Sequence, residues 1–418
     1  MSKKRLLLSL LASFLSVTVQ AQEIPPPPDL PSTTLARQVL DQDPGVRAAR
    51  AALEAGRTEA QLYATGPYEF STRLSGQQRD LRGGSNYGEW SVGIERPVRL
   101  PGKAALDRGI GQQVVAEMDA RYGDALHQAS RELLRLWLSW RGAEATRELL
   151  STQRLAAEEN LRAVEKRFKA GDAARLDVHL AEAEFEELRR AENEADTGRA
   201  TSLARLQGRF PGIQAVSSPL GNPRPLENDP AFWRERILAH SHELLIPKAQ
   251  LARAVVEARR ARAERIPDPT LGAYAASEFG GAERILGLSV SIPIPGDRRR
   301  LEAARAESLV QGARAQLNLQ TRSVETEISA ALAQAQGTYQ SWQAADRAAQ
   351  AMRNNAQLMQ RAYELGEADL QALLLARRQA LSAQLAANKA QIETLLAHYL
   401  LLVDGHLIWN MEASDHED

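Results

Sequence analysis

A twofold internal repeat constrains this chain more than any other feature of its sequence. Arg167-Phe168-Lys169-Ala170-Gly171-Asp172, followed by an Ala/Glu-rich helical stretch, is answered roughly 195 residues later by Ala362-Tyr363-Glu364-Leu365-Gly366-Glu367. In each copy a glycine stands three residues after an aromatic, and a new amphipathic helix follows. Pro97-Val98-Arg99-Leu100-Pro101-Gly102-Lys103 has its echo in Pro293-Ile294-Pro295-Gly296-Asp297-Arg298. The stretches around Pro44 and Pro67 reappear at Glu243 to Ala254 and at Asp268-Pro269-Thr270. Landmarks that recur in one order mean two copies of one structural plan, at residues 22–228 and 229–404, between a leader at 1–21 and an acidic tail at 405–418.

The leader has the form of an export signal: Lys3-Lys4-Arg5, an apolar run from Leu6 to Val17, then Val19-Gln20-Ala21 as a small-residue cleavage site. No other stretch approaches the roughly 20 apolar residues of a membrane-crossing helix, which leaves a β-barrel as the only route into a bilayer. The sequence has no cysteine. That excludes disulfides, thiolate metal sites and a thiol nucleophile, and with Gln22 first after cleavage it removes the acceptor for an N-terminal lipid. A formal charge of −1, more acidic once the leader's cations are removed, argues against nucleic acid as a partner.

Along the chain, the proline-rich residues 22 to 32 read as an extended surface leader. Capping hydroxyls at Ser32-Thr33-Thr34 open one helical arm of about 30 residues that continues to about Ala64, with Pro44 marking a second start or a kink within it. Between Pro67 and Pro101 the apolar period changes from 3.6 to 2: Phe70, Thr72 and Leu74 alternate with polar residues, as do Trp90, Val92 and Ile94 with Ser91, Gly93 and Glu95. Two strands joined by an Arg79 to Gly88 loop make a hairpin at 67–100. The second repeat predicts another at 268–294, with Thr270 to Ala276 against a strand whose Leu286, Leu288, Val290 and Ile292 share one face.

After each hairpin comes a long helix, from about Pro101 to Lys169 and from about Pro295 to Glu364, each with proline placed in its first turn. About 69 residues at 1.5 Å each make a rod of about 104 Å, longer than any single globular core needs. In each repeat the two shorter helical arms, laid end to end, come to nearly the same length. The fold class is therefore mainly α with a β-barrel portion: an antiparallel coiled-coil wall with hairpins at one end and glycine turns at the other. Leu133, Leu136, Trp137 and Trp140, and Leu370, Leu374, Leu381 and Leu385, mark its apolar seams.

Chemistry is hard to place on such a chain. No Ser/His/Asp set, paired carboxylates or phosphate-binding glycine loop stands out, so no enzymatic activity and no cofactor are expected. Of the seven histidines, the closest pair, His240 and His242, does not share a helix face, and His406 and His416 fall in the tail; no metal site is expected.

The motifs Phe168-x-x-Gly171-x-x-x-x-x-Asp177-Val178 and Tyr363-x-x-Gly366, with the two Pro-Gly strand-to-helix junctions, resemble the TolC-type outer-membrane efflux family over residues 32 to 404. The resemblance implies a homotrimer whose six hairpins close a 12-stranded barrel in outer-membrane lipid, with a helical tunnel through the periplasm. Trp90, Val92, Ile94, Leu286, Leu288, Val290 and Ile292 would then face lipid. The glycine turns would form the tip that meets a periplasmic adaptor and an inner-membrane pump, through Phe168, Gly171, Leu176, Val178, Tyr363, Gly366 and Leu370. Asp172, Arg175, Asp177, Glu367 and Asp369 are the candidate gate, repeated three times around a narrow mouth. Ala372 and Leu375 stand where the family commonly places acidic residues. The Leu100-Pro101-Gly102-Lys103 junction, the short loops and the missing lipid acceptor resemble the branch that serves heavy-metal cations with resistance-nodulation-division pumps. Type I protein secretion and drug efflux use the same architecture, and a soluble periplasmic coiled-coil scaffold is the alternative without a barrel.

Overall fold

A computed structural model describes residues 25–216 and 218–409; the export signal, residues 410–418 and His416 lie outside them. The two repeats are built from elements of matching length. The first runs α1 (Thr33–Asp41), α2 (Pro44–Thr65), β1 (Ser71–Asp80), β2 (Asn86–Pro97), α3 (Lys103–Ala170) and α4 (Arg175–Arg209). The second runs α5 (Pro230–His240), α6 (His242–Ala263), β3 (Thr270–Glu278), β4 (Glu283–Ser291), α7 (Asp297–Glu364) and α8 (Leu370–Asp404). α2 and α6 have 22 residues each, α3 and α7 have 68, and α4 and α8 have 35. At 1.5 Å per residue each rod is about 102 Å long.

The rods are flanked by the shorter helices. α2 and α6 pack on the sheet-side half of α3, α6 also packs on α7, and α4 and α8 cover the far halves of α3 and α7. The strands follow in the order β1-β2-β3-β4, all antiparallel, so β2 and β3 join the two hairpins into one open sheet.

Several local expectations need correction. The proline-rich leader is a surface wrap only in part: Pro25 and Pro28 are exposed, but Asp29, Leu30 and Pro31 are buried, and residues 22–24 lie outside the described residues. Asp29 accepts hydrogen bonds from the Tyr399 hydroxyl at 2.9 Å and the Gly221 amide at 3.0 Å, while its carbonyl accepts from Trp137 Nε1 at 2.8 Å. The first arm is two helices, because Asp43 caps a new N-terminus by accepting from the Gly45 and Val46 amides ahead of Pro44. Pro101 and Pro295 are not in the first turn of the rods. Each stands before an N-cap glycine, Gly102 or Gly296, where it holds the strand exit extended. The strands of the first hairpin are longer than the alternation alone indicates, and Ile292 lies just past the end of β4. Residues 405–409 are not tail: they are buried, and Trp409 donates to the Pro31 carbonyl at 3.0 Å.

The main core sits halfway along the rods, where Leu133, Leu134, Trp137, Leu138 and Trp140 of α3 meet Leu40, Phe210, Tyr399 and Trp409. The Leu133/Trp137/Trp140 seam lies inside it, with Leu136 half-buried at its edge.

Candidate functional sites at the two ends of the rods

At one end the sheet has two chemically opposite faces. Directly paired residues of an antiparallel ladder share a face, so the register lines Leu74, Val92, Ala275 and Leu286 in one row and Thr72, Ile94, Ala273 and Leu288 in the next. Trp90 and Val290 lie on this face too. The side chains have little to pack on; Leu286 is 88% exposed in the single chain. The opposite face carries Ser75 and Ser91, Arg73 and Gly93, and Ser289 and Ser291. Its Arg73–Glu95 pair is 3.0 Å long, and Arg79 reaches Glu89 at 2.6 Å and Glu278 at 3.1 Å.

Below the sheet, a buried ionic network locks strands to rods. Lys103, 2% exposed, places its ammonium 2.8 Å from Asp268 Oδ1 and 3.2 Å from Glu264 Oε2, and donates to the Ile266 carbonyl at 2.7 Å. Asp268 also accepts from the Tyr68 hydroxyl at 2.6 Å and the Leu100 amide at 2.9 Å. Arg99 caps the end of α2 by donating to the Ala64 and Thr65 carbonyls, both at 3.0 Å, and pairs with Asp107 at 2.8 Å. Gly66 is favoured there by its φ of +80°, which side chains rarely adopt, and a Cβ would also push the Arg99 guanidinium, 2.5 Å away, out of its cap.

Burial opposes ionisation of Asp268, but Lys103, Tyr68 and the Leu100 amide outweigh it and hold the carboxyl below its ordinary range. Glu264 is lowered in the same way, against its burial, by Arg260, Arg299 and Lys103. In unfolded chains these carboxylates take up protons near pH 4, before the folded ones do. Their stabilisation is thus complete above about pH 5 and is lost as pH falls from about 4 through the lower folded values. The gap in thermal midpoint between the full wild-type chain and Asp268→Asn should be constant above about pH 5 and shrink below about 4. A gap that does not shrink there would mean that other groups set the acid limit.

At the far end the two turns are copies of one motif. Gly171 adopts φ +87° and Gly366 φ +77°. The Asp172 amide donates to the Arg167 carbonyl and the Glu367 amide to the Ala362 carbonyl, each at 2.8 Å. This is a Schellman closure, which satisfies the last carbonyls of each rod and needs the left-handed residue that glycine supplies. Arg167 ties the copies together, donating to the Tyr363 hydroxyl at 2.9 Å with its guanidinium 5.4 Å from that ring.

The sequence-predicted tip residues divide by burial. Phe168 and Leu176 are exposed, Tyr363 and Val178 are half-buried, and Leu370 is 3% exposed. Leu370 therefore cannot meet a partner directly. It packs with Val164, Ala181, Leu373 and Leu374 in a cluster that clamps the helix ends behind the turns. Leu365, which the motifs did not single out, is 70% exposed beside Gly366.

Of the gate candidates, Asp369 caps α8 by accepting from the Ala372 amide at 2.7 Å, and Asp177 accepts from the Ala174 amide at 3.1 Å. Asp172, Arg175 and Glu367 are exposed. Among the described residues none of the five forms a salt bridge.

Halfway along the rods, sequence spacing missed a histidine cluster. The His406 ring lies 5.3 Å from those of His240 and His242 and 5.8 Å from His127, with Asp404 3.2 Å from His127 Nε2. His240 and His242, expected on separate faces of one helix, instead flank the break between α5 and α6 and both meet His406, while His127 and His406 come from elements far apart in sequence that no local pattern links. Among the described residues no group of three or more His, Asp or Glu is arranged to hold a metal ion, and no helix is long and apolar enough to cross a membrane.

Comparison with known proteins agrees with this geometry. The outer membrane efflux protein family's sequence profile matches residues 35–208, the span of the first repeat's helices and hairpin. No curated protein shows significant sequence similarity to the chain. Among solved structures, a membrane protein from Pseudomonas aeruginosa superposes with a TM-score of 0.77 at 18% identity, covering 99% of this chain and 98% of that one. The Campylobacter jejuni CmeC outer membrane channel gives 0.74 at 16%, covering 91% and 86%. The open state of the Neisseria gonorrhoeae MtrE outer membrane channel gives 0.66 at 18%, covering 90% of each. The chain thus carries the outer membrane efflux protein pattern in residues 35–208 and, over at least nine-tenths of its length, the fold of outer membrane channels.

Proposed function

We propose that this protein is the outer-membrane duct of a tripartite efflux system, a passive conduit that performs no chemistry of its own. The observation that carries the reading is the pairing of a two-faced sheet with unpaired edges at β1 and β4 to rods of about 102 Å that end in duplicated turns. An open sheet with an apolar face cannot stand in lipid, where every backbone group must be paired, so its edges call for further copies of itself. Three chains would close a 12-stranded barrel, with Trp90, Val92, Ile94, Leu286, Leu288, Val290 and Ile292 against lipid and the serine-lined face toward water. The protein would reside in the outer membrane of a Gram-negative bacterium, its rods crossing the periplasm.

The tip would meet a periplasmic adaptor through Phe168, Leu176, Leu365 and Tyr363 around Gly171 and Gly366, with Val178 and Leu370 holding the turns from behind. Asp172, Arg175, Asp177, Glu367 and Asp369 would ring the mouth threefold, a field that favours cations. An inner-membrane pump of the resistance-nodulation-division type would supply the energy. The likeness of the Leu100–Lys103 junction to the heavy-metal branch makes divalent heavy-metal cations the leading substrate class, with lipophilic drugs and secreted polypeptides as alternatives.

Deletion of the protein should raise sensitivity to divalent metals if that branch is right, or to lipophilic drugs if the other is. Unchanged sensitivity to both, with secretion also intact, would sink the export reading. In the complemented strain, Gly366→Val or Gly171→Val should reduce export while leaving assembly intact, because a β-branched residue at positive φ costs about 1–3 kcal/mol and re-aims only the turn. Normal export by both variants would count against the tip as docking surface.

A further inference from the structure

The two strand-to-rod junctions carry the same formal charge but place their cations differently. In the first, Lys103 is buried and Arg99 half-buried, and both are held by internal partners. In the second, the same position opens into Asp297-Arg298-Arg299-Arg300, and the facing end of α6 adds Arg262 and Arg265. A groove of about 640 Å³ lies between them, lined by Arg262, Arg265, Ile266, Arg299 and Arg300 and by the Pro295–Asp297 turn.

Only Arg299 is firmly committed within the chain, donating to the Glu264 carbonyl and carboxylate, both at 2.7 Å. Arg300 holds Asp297 at 3.2 Å and Arg262 pairs with Glu307, all four groups being well exposed. Exposed pairs of this kind are screened by water and weak, so a competing anion can displace them. The Arg265 guanidinium makes no ion pair among the described residues.

The apolar surroundings fix the setting. Leu286, Leu288 and Val290 lie on the outer face of β4, and Ile292 and Ile294 continue that alternation to the edge of the arginines, Ile294 being 96% exposed. From Leu286 to Ile294 the extended chain spans about 27 Å. Tilted as barrel strands are, this approaches the roughly 25 Å apolar band of an outer-membrane barrel. Ile266, also exposed, lines the same groove. Cationic fork-shaped side chains at the border of an apolar band sit at headgroup depth, where guanidinium groups bind phosphate bidentately.

We propose that this groove binds the phosphate headgroup of an anionic phospholipid in the periplasmic leaflet, one per chain, anchoring the barrel at a fixed depth. The proposal rests on the outer-membrane reading above. Its test uses the full chain folded into phosphatidylcholine vesicles with a trace of spin-labelled phosphatidylglycerol or of spin-labelled phosphatidylcholine, comparing the motionally restricted fraction of each label. Wild type should favour phosphatidylglycerol by roughly fivefold or more, the contribution of a single arginine at an anionic surface. R262Q/R265Q/R300Q should approach parity, and the triple lysine replacement, which keeps the charge but loses the fork, should fall between that variant and wild type.

Equal association of both lipids with wild type, or an undiminished preference in the glutamine variant, overturns the proposal. So does loss of the preference on adding inorganic phosphate at constant ionic strength, which would identify free phosphate as the occupant. Wild-type protein that never inserts and never becomes protease-protected would instead remove the membrane reading on which the groove's assignment stands.

Discussion

Asp268→Ala should destabilise the joint between sheet and rods by about 3–5 kcal/mol, the range for a buried ion pair that loses one partner. The alanine leaves the Lys103 ammonium, 2% exposed, with only the Ile266 carbonyl and the Glu264 carboxylate, and strands the Tyr68 hydroxyl and the Leu100 amide without their acceptor. Asp268→Asn should cost less, since its side-chain oxygen still accepts one of those hydrogen bonds while the charge is lost. The effect should appear as a lower temperature for loss of β-structure in full-length protein, followed by circular dichroism in detergent. Helical signal should fall at nearly its original temperature, because the core of the rods lies far from the joint. Coincident unfolding of both signals at the wild-type temperature would show that the network adds nothing.

Trp137→Ala should have a comparable effect at the middle of the molecule, about 3–5 kcal/mol for a buried indole. Its ring packs edge-on against Trp140 at 5.0 Å between centroids, and its Nε1 holds the Asp29 carbonyl. Truncation therefore opens a cavity and frees the proline-rich leader in one change. Limited proteolysis should cut near Pro25 to Pro31 in the variant at protease levels that spare wild type. Trp137→Phe separates the two contributions, keeping most of the packing but leaving the Asp29 carbonyl unpaired, for about 1–3 kcal/mol. If neither variant exposes the leader, the contacts of Asp29 with Tyr399 and Gly221 suffice to hold it.

Much of the architecture was legible in sequence wherever a residue's role is decided by its near neighbours. The alternation at Trp90, Val92 and Ile94 marks a sheet face because period 2 is a local property. Gly171 and Gly366 mark turns because only glycine enters the left-handed region without steric cost. Strand ends were less legible: Arg79, Asp80, Asn86 and Tyr87 read as part of a polar loop, yet continue the ladder because Arg79 pairs with Tyr87 and Asp80 with Asn86 across it. The leader and residues 405–409 looked like solvent-exposed termini. Their burial depends on Trp137, Tyr399 and Pro31, partners that no local pattern reveals. Leu370 was misassigned to the contact surface for the same reason, since a first-turn leucine can face a partner protein or its own neighbouring rods, and sequence does not distinguish the two.

The equal lengths of the paired elements, 22, 68 and 35 residues in each repeat, also make the molecule a ruler. Seven residues inserted into one rod would push its turn about 10.5 Å beyond its twin and leave that overhang without a flanking helix. The same insertion made in both rods and in both α4 and α8 would keep every seam in phase and simply carry the tip deeper. The distance from the sheet to the glycine turns is therefore a quantised property of this chain, one that can change only in coordinated steps.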